Sequence, residues 1–193
     1  MKNQYSISEM FRNVYSLIIT KVFYPGARLV RRPIYVRGKK SLIYGKKFTT
    51  GYSCRFDLKG DKKTLFIGDN CQIGDNVHIV ALDKVEIGDN CLMASKIFIS
   101  DTSHGIYDNS DITSNPSVAP TDRTLHTKPV KIGNNVWIGE NVVILAGVNI
   151  GDGSVIGANS VVTKSFPKNC IIVGTPATVI KEWNESEEKW LQK

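Results

Sequence analysis

The chain has 193 residues, of which 41% are hydrophobic and 22% charged, a balance that excludes wholesale disorder and a collagen-like fibre. The formal net charge of +7 is uneven: residues 1–47 hold eleven Lys/Arg against the single acid Glu9, which leaves the remainder at about −3. A basic segment on a near-neutral body argues for a local anionic neighbour and against nucleic acid as partner, and no apolar run approaches the roughly 20 residues of a spanning helix.

The first predicted element is an amphipathic helix. Ile7, Met10, Phe11, Val14, Leu17, Ile18 and Val22 form an apolar stripe, and Pro25-Gly26 ends it. The run Val14 to Thr20 stops at Lys21 and lacks a small-residue cleavage pattern behind it, so no signal peptide is expected and the chain reads as cytoplasmic. Arg28, Arg31, Arg32, Arg37, Lys39 and Lys40 follow, making residues 1–40 a basic lead-in. Two readings stand side by side. The stripe docks on the protein's own body with the charges in water, or the segment touches an anionic membrane surface, peripheral to the inner membrane.

Residues 41–175 are organised by a repeat. Aliphatic side chains recur every six positions at Ile67, Ile73 and Ile79, then Ile87, Met93 and Ile99, then Ile132, Ile138, Ile144, Ile150, Ile156 and Val162. Glycine follows seven of these twelve, where chance gives about one. Three residues after the aliphatic stand Asn70, Asn76, Asn90, Asn135, Asn141, Gly147, Gly153 and Asn159, types that tolerate positive φ. Period six with one sharp corner per step describes a triangular parallel β-helix, its ladder pointing inward and small residues beside each corner. Ile43 and Thr49 extend the ladder upstream.

The eight-residue interval between Ile79 and Ile87 implies a bulge around Leu82 to Lys84. The ladder vanishes between Ile99 and Ile132, so residues 100–131, with Pro116, Pro120 and Pro129, form an inserted loop of the kind that usually carries function. Cys54, Cys71, Cys91 and Cys170 show no CxxC pair and are expected as buried reduced thiols. Residues 176–193 read as a short cap with a polar terminal helix over an otherwise open β-helix end.

Three histidines exist, and His104 lies just inside the insert in SDTSHGIYDN. A histidine beside a rigid coil can act as general base on a substrate hydroxyl, or be no more than a solvated loop residue. His78, His104 and His126 stand 26 and 22 residues apart, a poor spacing for a metal site.

The strings IGDNCLMASKIFIS, PVKIGNNVWIGENVVILAGVNIGDGSVIGANSVVTKSFP and VGTPATVIKE resemble the hexapeptide-repeat acyltransferase family, nearest to the sugar and polysaccharide O-acetyltransferases. FYPGARLVRRPIYVRGKK resembles the lipopolysaccharide and capsule branch. The resemblance implies an all-β, left-handed parallel β-helix, a homotrimer with active sites between subunits, acetyl-CoA as cosubstrate and no metal. It implies acetyl transfer to a sugar hydroxyl of a bacterial surface polysaccharide or its precursor. On it His104 takes the catalytic position, Asn76 and Trp137 take acceptor-site positions, and Ala158, Thr163, Lys164, Thr178 and Lys181 take CoA-contact positions. Lys181 replaces an arginine there, which removes a bidentate contact. The alternatives are transfer to the nitrogen of an amino sugar, a non-catalytic β-helix, and a metalloenzyme like the γ-class carbonic anhydrases.

Overall fold

Six-residue spacing of inward side chains returns the chain over itself every eighteen residues, as from Trp137 to Val155. In the computed structural model, which describes residues 5–107 and 113–193, the coils stack as a β-solenoid with three sheets for its sides, parallel except at the C-terminal end of the first. Sheet A has nine strands, from Leu29–Val30 (β1) at one edge to Lys189–Gln192 at the other. Sheet B has six and sheet C five. All twelve ladder residues are buried. They stack in columns: Ile73, Met93, Ile138 and Ile156 inside sheet A, with matching columns in the other two.

The glycine after each aliphatic has a steric reason. A Cβ on Gly68 would lie 2.7 Å from the amide nitrogen of Asp89 in the next coil, and one on Gly139 2.6 Å from that of Ala158. Into such gaps the following Asp or Asn turns its carboxylate or amide. Asp89 Oδ1 accepts from the Asp69 N–H at 2.7 Å, and Asp152 Oδ1 accepts from the Asn134 N–H at 2.8 Å. All eight expected corner residues have positive φ, between 55° and 82°. The four cysteines are buried and unpaired by disulfides, and three donate across coils, Cys71 Sγ to the Gly88 carbonyl at 3.0 Å for instance.

The corners are not equivalent. Inward residues step by six across the C-to-A corner (Tyr44 to Thr50, Ile67 to Ile73) and across the A-to-B corner (Thr50 to Phe56, Ile73 to Ile79). Across the B-to-C corner the steps are eight from Val36 to Tyr44, eleven from Phe56 to Ile67, eight from Ile79 to Ile87, thirty-three from Ile99 to Ile132 and six from Ile144 to Ile150. The eleven-residue step corrects the upstream ladder. Tyr44 and Thr50 occupy the inward register opposite Ile67 and Ile73, whereas Ile43 is exposed, because counting back by six across that step slips the pairing by one residue.

The other end also differs from expectation. Residues 176–193 form no helix: Cys170–Gly174, Ala177–Asn184 and Lys189–Gln192 make an antiparallel meander closing sheet A. The β-branched run Thr178-Val179-Ile180 favours a strand, the last parallel strand offers an edge to pair with, and Trp183 packs edge-on against Trp190 across the turn.

The N-terminal helix (α1, Ile7–Phe23) starts at a capping box made by Ser6 and Glu9. It docks along β1 with its polar face. Thr20 Oγ1 accepts from the Val30 N–H at 2.8 Å, Ser16 Oγ from the Arg32 N–H at 3.1 Å, and Asn13 Oδ1 from Arg31 Nε at 3.1 Å. A strand edge presents unmet N–H groups, so the element that covers it must bring acceptors. The apolar stripe therefore does not dock on the body; it is exposed. No helix among the described residues is long and apolar enough to cross a membrane.

Candidate active site

The insert is anchored before it is exposed. Asp101, fully buried, accepts from the backbone N–H groups of Leu82, Asp83 and Lys84 at 3.0, 2.7 and 2.8 Å, and from Thr102 Oγ1 at 2.7 Å. Its own carbonyl accepts from the Lys128 N–H at 2.9 Å. One carboxylate thus pins the expected bulge of the preceding coil and stands where the insert leaves and rejoins the solenoid. Asp101 is engaged there with backbone and orients the ribbon, not an imidazole.

From this anchor Thr102–His104 pairs antiparallel with Leu125–Thr127, and His104 is opposite Leu125. His104 is exposed. Gly105, at φ 115°, turns the chain, and a Cβ there would meet Ser114 Oγ at 2.7 Å. The Tyr107 hydroxyl donates to the His104 carbonyl, and Arg123 binds Tyr107 Oη at 2.6 Å and the carbonyls of Val118 and Pro116. Arg123 therefore ties the two halves of the insert together. Residues 108–112 of the insert lie outside the described residues.

Opposite residues of an antiparallel pair share a face, so Ser103 and His126 occupy the other side of the ribbon from His104. That side faces a cavity of ≈ 320 Å³, lined by Ser103, Tyr107, His126, Lys128, Leu145 and Ala146. His126 Nε2 is buried without a hydrogen-bond partner among the described residues, an unmet polar group in the cavity region. His126 is read from the sequence only as a poor metal ligand, and Arg123 and the anchoring role of Asp101 are not read at all, since each depends on contacts the insert makes on folding. His78 is on sheet B, bonded through Nε2 to Asp57 at 3.0 Å. Among the described residues no three His, Cys, Asp or Glu side chains are grouped to hold a metal.

The remaining expected site residues do not converge on His104 within one chain. Asn76 is an exposed A-to-B corner residue, φ 55°, and its side chain has no hydrogen bond among the described residues. Trp137, 53% exposed, stands on the outer face of sheet A between Leu92 and Val155. Lys181 continues that column beyond Ile171. Ala158 is at the A-to-B corner, and Thr178, opposite Val173, begins the meander beside it. Thr163 and Lys164 follow the last sheet B strand, at the edge where His104 projects, and Lys164 Nζ lies 5.8 Å from the Phe166 ring centroid. The set divides into two groups that flank sheet B on opposite edges.

Comparison with known proteins agrees with this architecture. The description "Bacterial transferase hexapeptide (six repeats)" matches residues 129–164, and "Hexapeptide repeat of succinyl-transferase" matches residues 65–95. The chain is 42% identical over 190 residues to a putative lipopolysaccharide biosynthesis O-acetyl transferase of Escherichia coli, covering 98% of this chain and 96% of that protein. It is 40% identical over 126 residues to the galactoside O-acetyltransferase of Escherichia coli, covering 65% of this chain and 58% of that protein. Among solved structures, a hexapeptide-repeat acetyltransferase of Vibrio cholerae complexed with acetyl coenzyme A superposes with a TM-score of 0.57 at 28% identity, covering 95% of this chain and 81% of that one.

Proposed function

The chain belongs to the hexapeptide-repeat acetyltransferases, and from that premise we propose that it transfers the acetyl group of acetyl-CoA to a sugar hydroxyl of a lipopolysaccharide or related surface polysaccharide, or of its precursor. The observation that carries this reading is His104, exposed on a ribbon that Asp101 and Arg123 hold in place. Imidazole changes charge near neutral pH and suits general-base work. His104 takes the proton of the acceptor hydroxyl, and the hydroxyl oxygen attacks the thioester carbonyl. The tetrahedral intermediate collapses with cleavage of the carbon–sulfur bond, and the imidazolium returns its proton to the departing thiolate. The buried cysteines leave no thiol for an acetyl-cysteine intermediate. His126 Nε2, unmet beside the cavity, suits a contact to a substrate hydroxyl or amide.

The site is completed by a second subunit. His104, Thr163 and Lys164 stand at the B-to-C edge of sheet B, while Asn76, Ala158 and Thr178 stand at its A-to-B edge with Trp137 and Lys181 on sheet A. In a cyclic assembly of parallel prisms these edges meet only if sheet B faces the symmetry axis. Its outer column of Phe98, Val143 and Val161, half-buried in the single chain, is apolar enough to do so. The assembly is then a homotrimer with three shared sites, and acetyl-CoA lies in each groove.

The test is thiol release from acetyl-CoA with a panel of lipopolysaccharide, capsular oligosaccharide and nucleotide-sugar acceptors. His104→Ala is expected to lose about 10²–10⁴ in rate with its thermal transition unchanged, since the side chain is exposed. Retention of more than half the wild-type rate would remove His104 from the chemistry.

A further inference from the structure

The helix α1 turns inside out the usual relation between an amphipathic helix and its protein. Its polar face, through Asn13, Ser16 and Thr20, meets the strand edge. Its apolar face is exposed among the described residues: Ile7, Phe11, Ile18 and Val22 are 75%, 72%, 59% and 65% exposed, with Val14 and Tyr15 beside them. The fold does not need this face, because the cap is made by hydroxyls and an amide that a wholly polar helix could supply. A run of large apolar side chains kept in the open on one face marks an interaction surface.

Charge identifies what covers it. A groove on one side of the helix is lined by Arg28 and Arg31, and a groove on the other by Arg12 and Arg32. Lys21 lies on the helix and Lys39 reaches its C-terminus, donating to the Phe23 carbonyl at 3.2 Å. None of these six forms an ion pair with a carboxylate among the described residues. Glu9, the single acid of residues 1–47, is used in the capping box. We propose that the outward face of α1 is a docking surface for an anionic phospholipid bilayer: the apolar residues enter the acyl boundary and the flanking arginines and lysines meet lipid phosphates. A two-fold contact with the same face of a second copy would bring two sets of unpaired cations together, which disfavours that occupant. The coil bearing His104 is three coils along the solenoid from β1, roughly 15 Å at about 4.8 Å per coil, so the acceptor site stands close above the lipid headgroups. The surface is independent of the acetyl-transfer reading.

Full-length protein is co-sedimented with vesicles of phosphatidylcholine alone and of phosphatidylcholine with phosphatidylglycerol, at low and high salt, beside the double variant Phe11→Ser/Ile18→Ser. Both substituted side chains are exposed, so the fold should tolerate the change, and the thermal transition checks it. Binding is expected to the phosphatidylglycerol vesicles at low salt, to weaken at least tenfold at high salt or on neutral vesicles, and to weaken at least tenfold in the variant while its mass in solution stays that of the wild type. Absence of binding at low salt, undiminished binding of the variant, or a change of oligomeric state in the variant would each overturn the proposal, the last by identifying the face as a subunit contact. Thiol release by the same samples with a soluble acceptor reads the enzymatic reading separately.

Discussion

The A-to-B and B-to-C corners of the solenoid are built from the same chain yet obey different rules. At the first, the inward ladder advances by six residues in each coil from Thr50 to Val162, with a positive-φ residue at Asn76, Asn141 and Asn159. At the second, the step ranges from six to thirty-three, and the bulge Leu82–Lys84 and the ribbon with His104 both emerge there. The regular corner keeps coils in register, because any change would rotate every following side chain off its column. The irregular corner can vary because each detour returns to the inward register, and it is where the proposed catalytic His104 is carried.

The largest effect should come from breaking the regular corner. Gly139→Val places a Cβ against the Ala158 backbone, where neither coil can give way, and should cost about 3 kcal/mol or more by urea denaturation. Asn141→Ala, in the same corner at φ 59°, keeps the space and only strains the backbone, so about 1 kcal/mol is expected. Equal costs for the two would show that close coil approach is not what the glycine serves.

Next is the anchor of the irregular corner. Asp101→Ala leaves the N–H groups of Leu82, Asp83 and Lys84 without their acceptor and should cost about 2–4 kcal/mol. It should also speed proteolytic cleavage between residues 102 and 128 and reduce acetyl transfer. A variant of lower stability with wild-type proteolysis and activity would mean that Asp101 supports the solenoid and not the ribbon.

These two corners also explain what could be read in the sequence. Period six, the glycines and the corner asparagines announce the solenoid because each coil repeats the same steric demand, and all twelve ladder residues follow it inward. Ile43 and Thr49 fall out of register because the eleven-residue step at Lys59–Thr64 is invisible to a count by six. The terminal strands read in the sequence as a polar helix, because the edge they pair with is supplied by Cys170–Gly174. The polar docking face of α1 is hidden for the same reason, since the acceptors Ser16 and Thr20 matter only beside β1. His104 is found through its place in a resembled motif, whereas Asp101, Arg123 and His126 acquire meaning from contacts across the insert.

A smaller effect concerns sheet B. Asp57 is met by Arg55 at 2.7 Å, His78 at 3.0 Å and Arg37 at 3.1 Å. Burial pushes its carboxyl up, and the hydrogen bonds from Arg55 and His78 with the two arginine charges outweigh this, so it ends below the ordinary carboxylate range. A carboxyl depressed in the folded state stabilises above its unfolded pKa, and that contribution is lost as pH falls through the folded value. Asp57→Asn should therefore cost about 1 kcal/mol at pH 7 and nothing once the pH is below the folded carboxyl range. The same penalty at both pH values would assign the effect to packing. Smallest of all, native thiols should resist labelling, since burial pushes Cys54 up to about 11 and all four cysteines are buried; reagent uptake at the rate of unfolded protein would contradict the inward placement.

The central claim, that one active site draws on the B-to-C edge of one subunit and the sheet A side of the next, is tested most directly by subunit mixing. His104→Ala and Trp137→Ala proteins are each assayed alone, then unfolded together, refolded and assayed as mixed assemblies. Random mixing pairs an intact His104 with an intact Trp137 at about one interface in four, so thiol release should recover to roughly a quarter of the wild-type rate. Mixed protein no more active than the better of its two parents would contradict a site shared in this way.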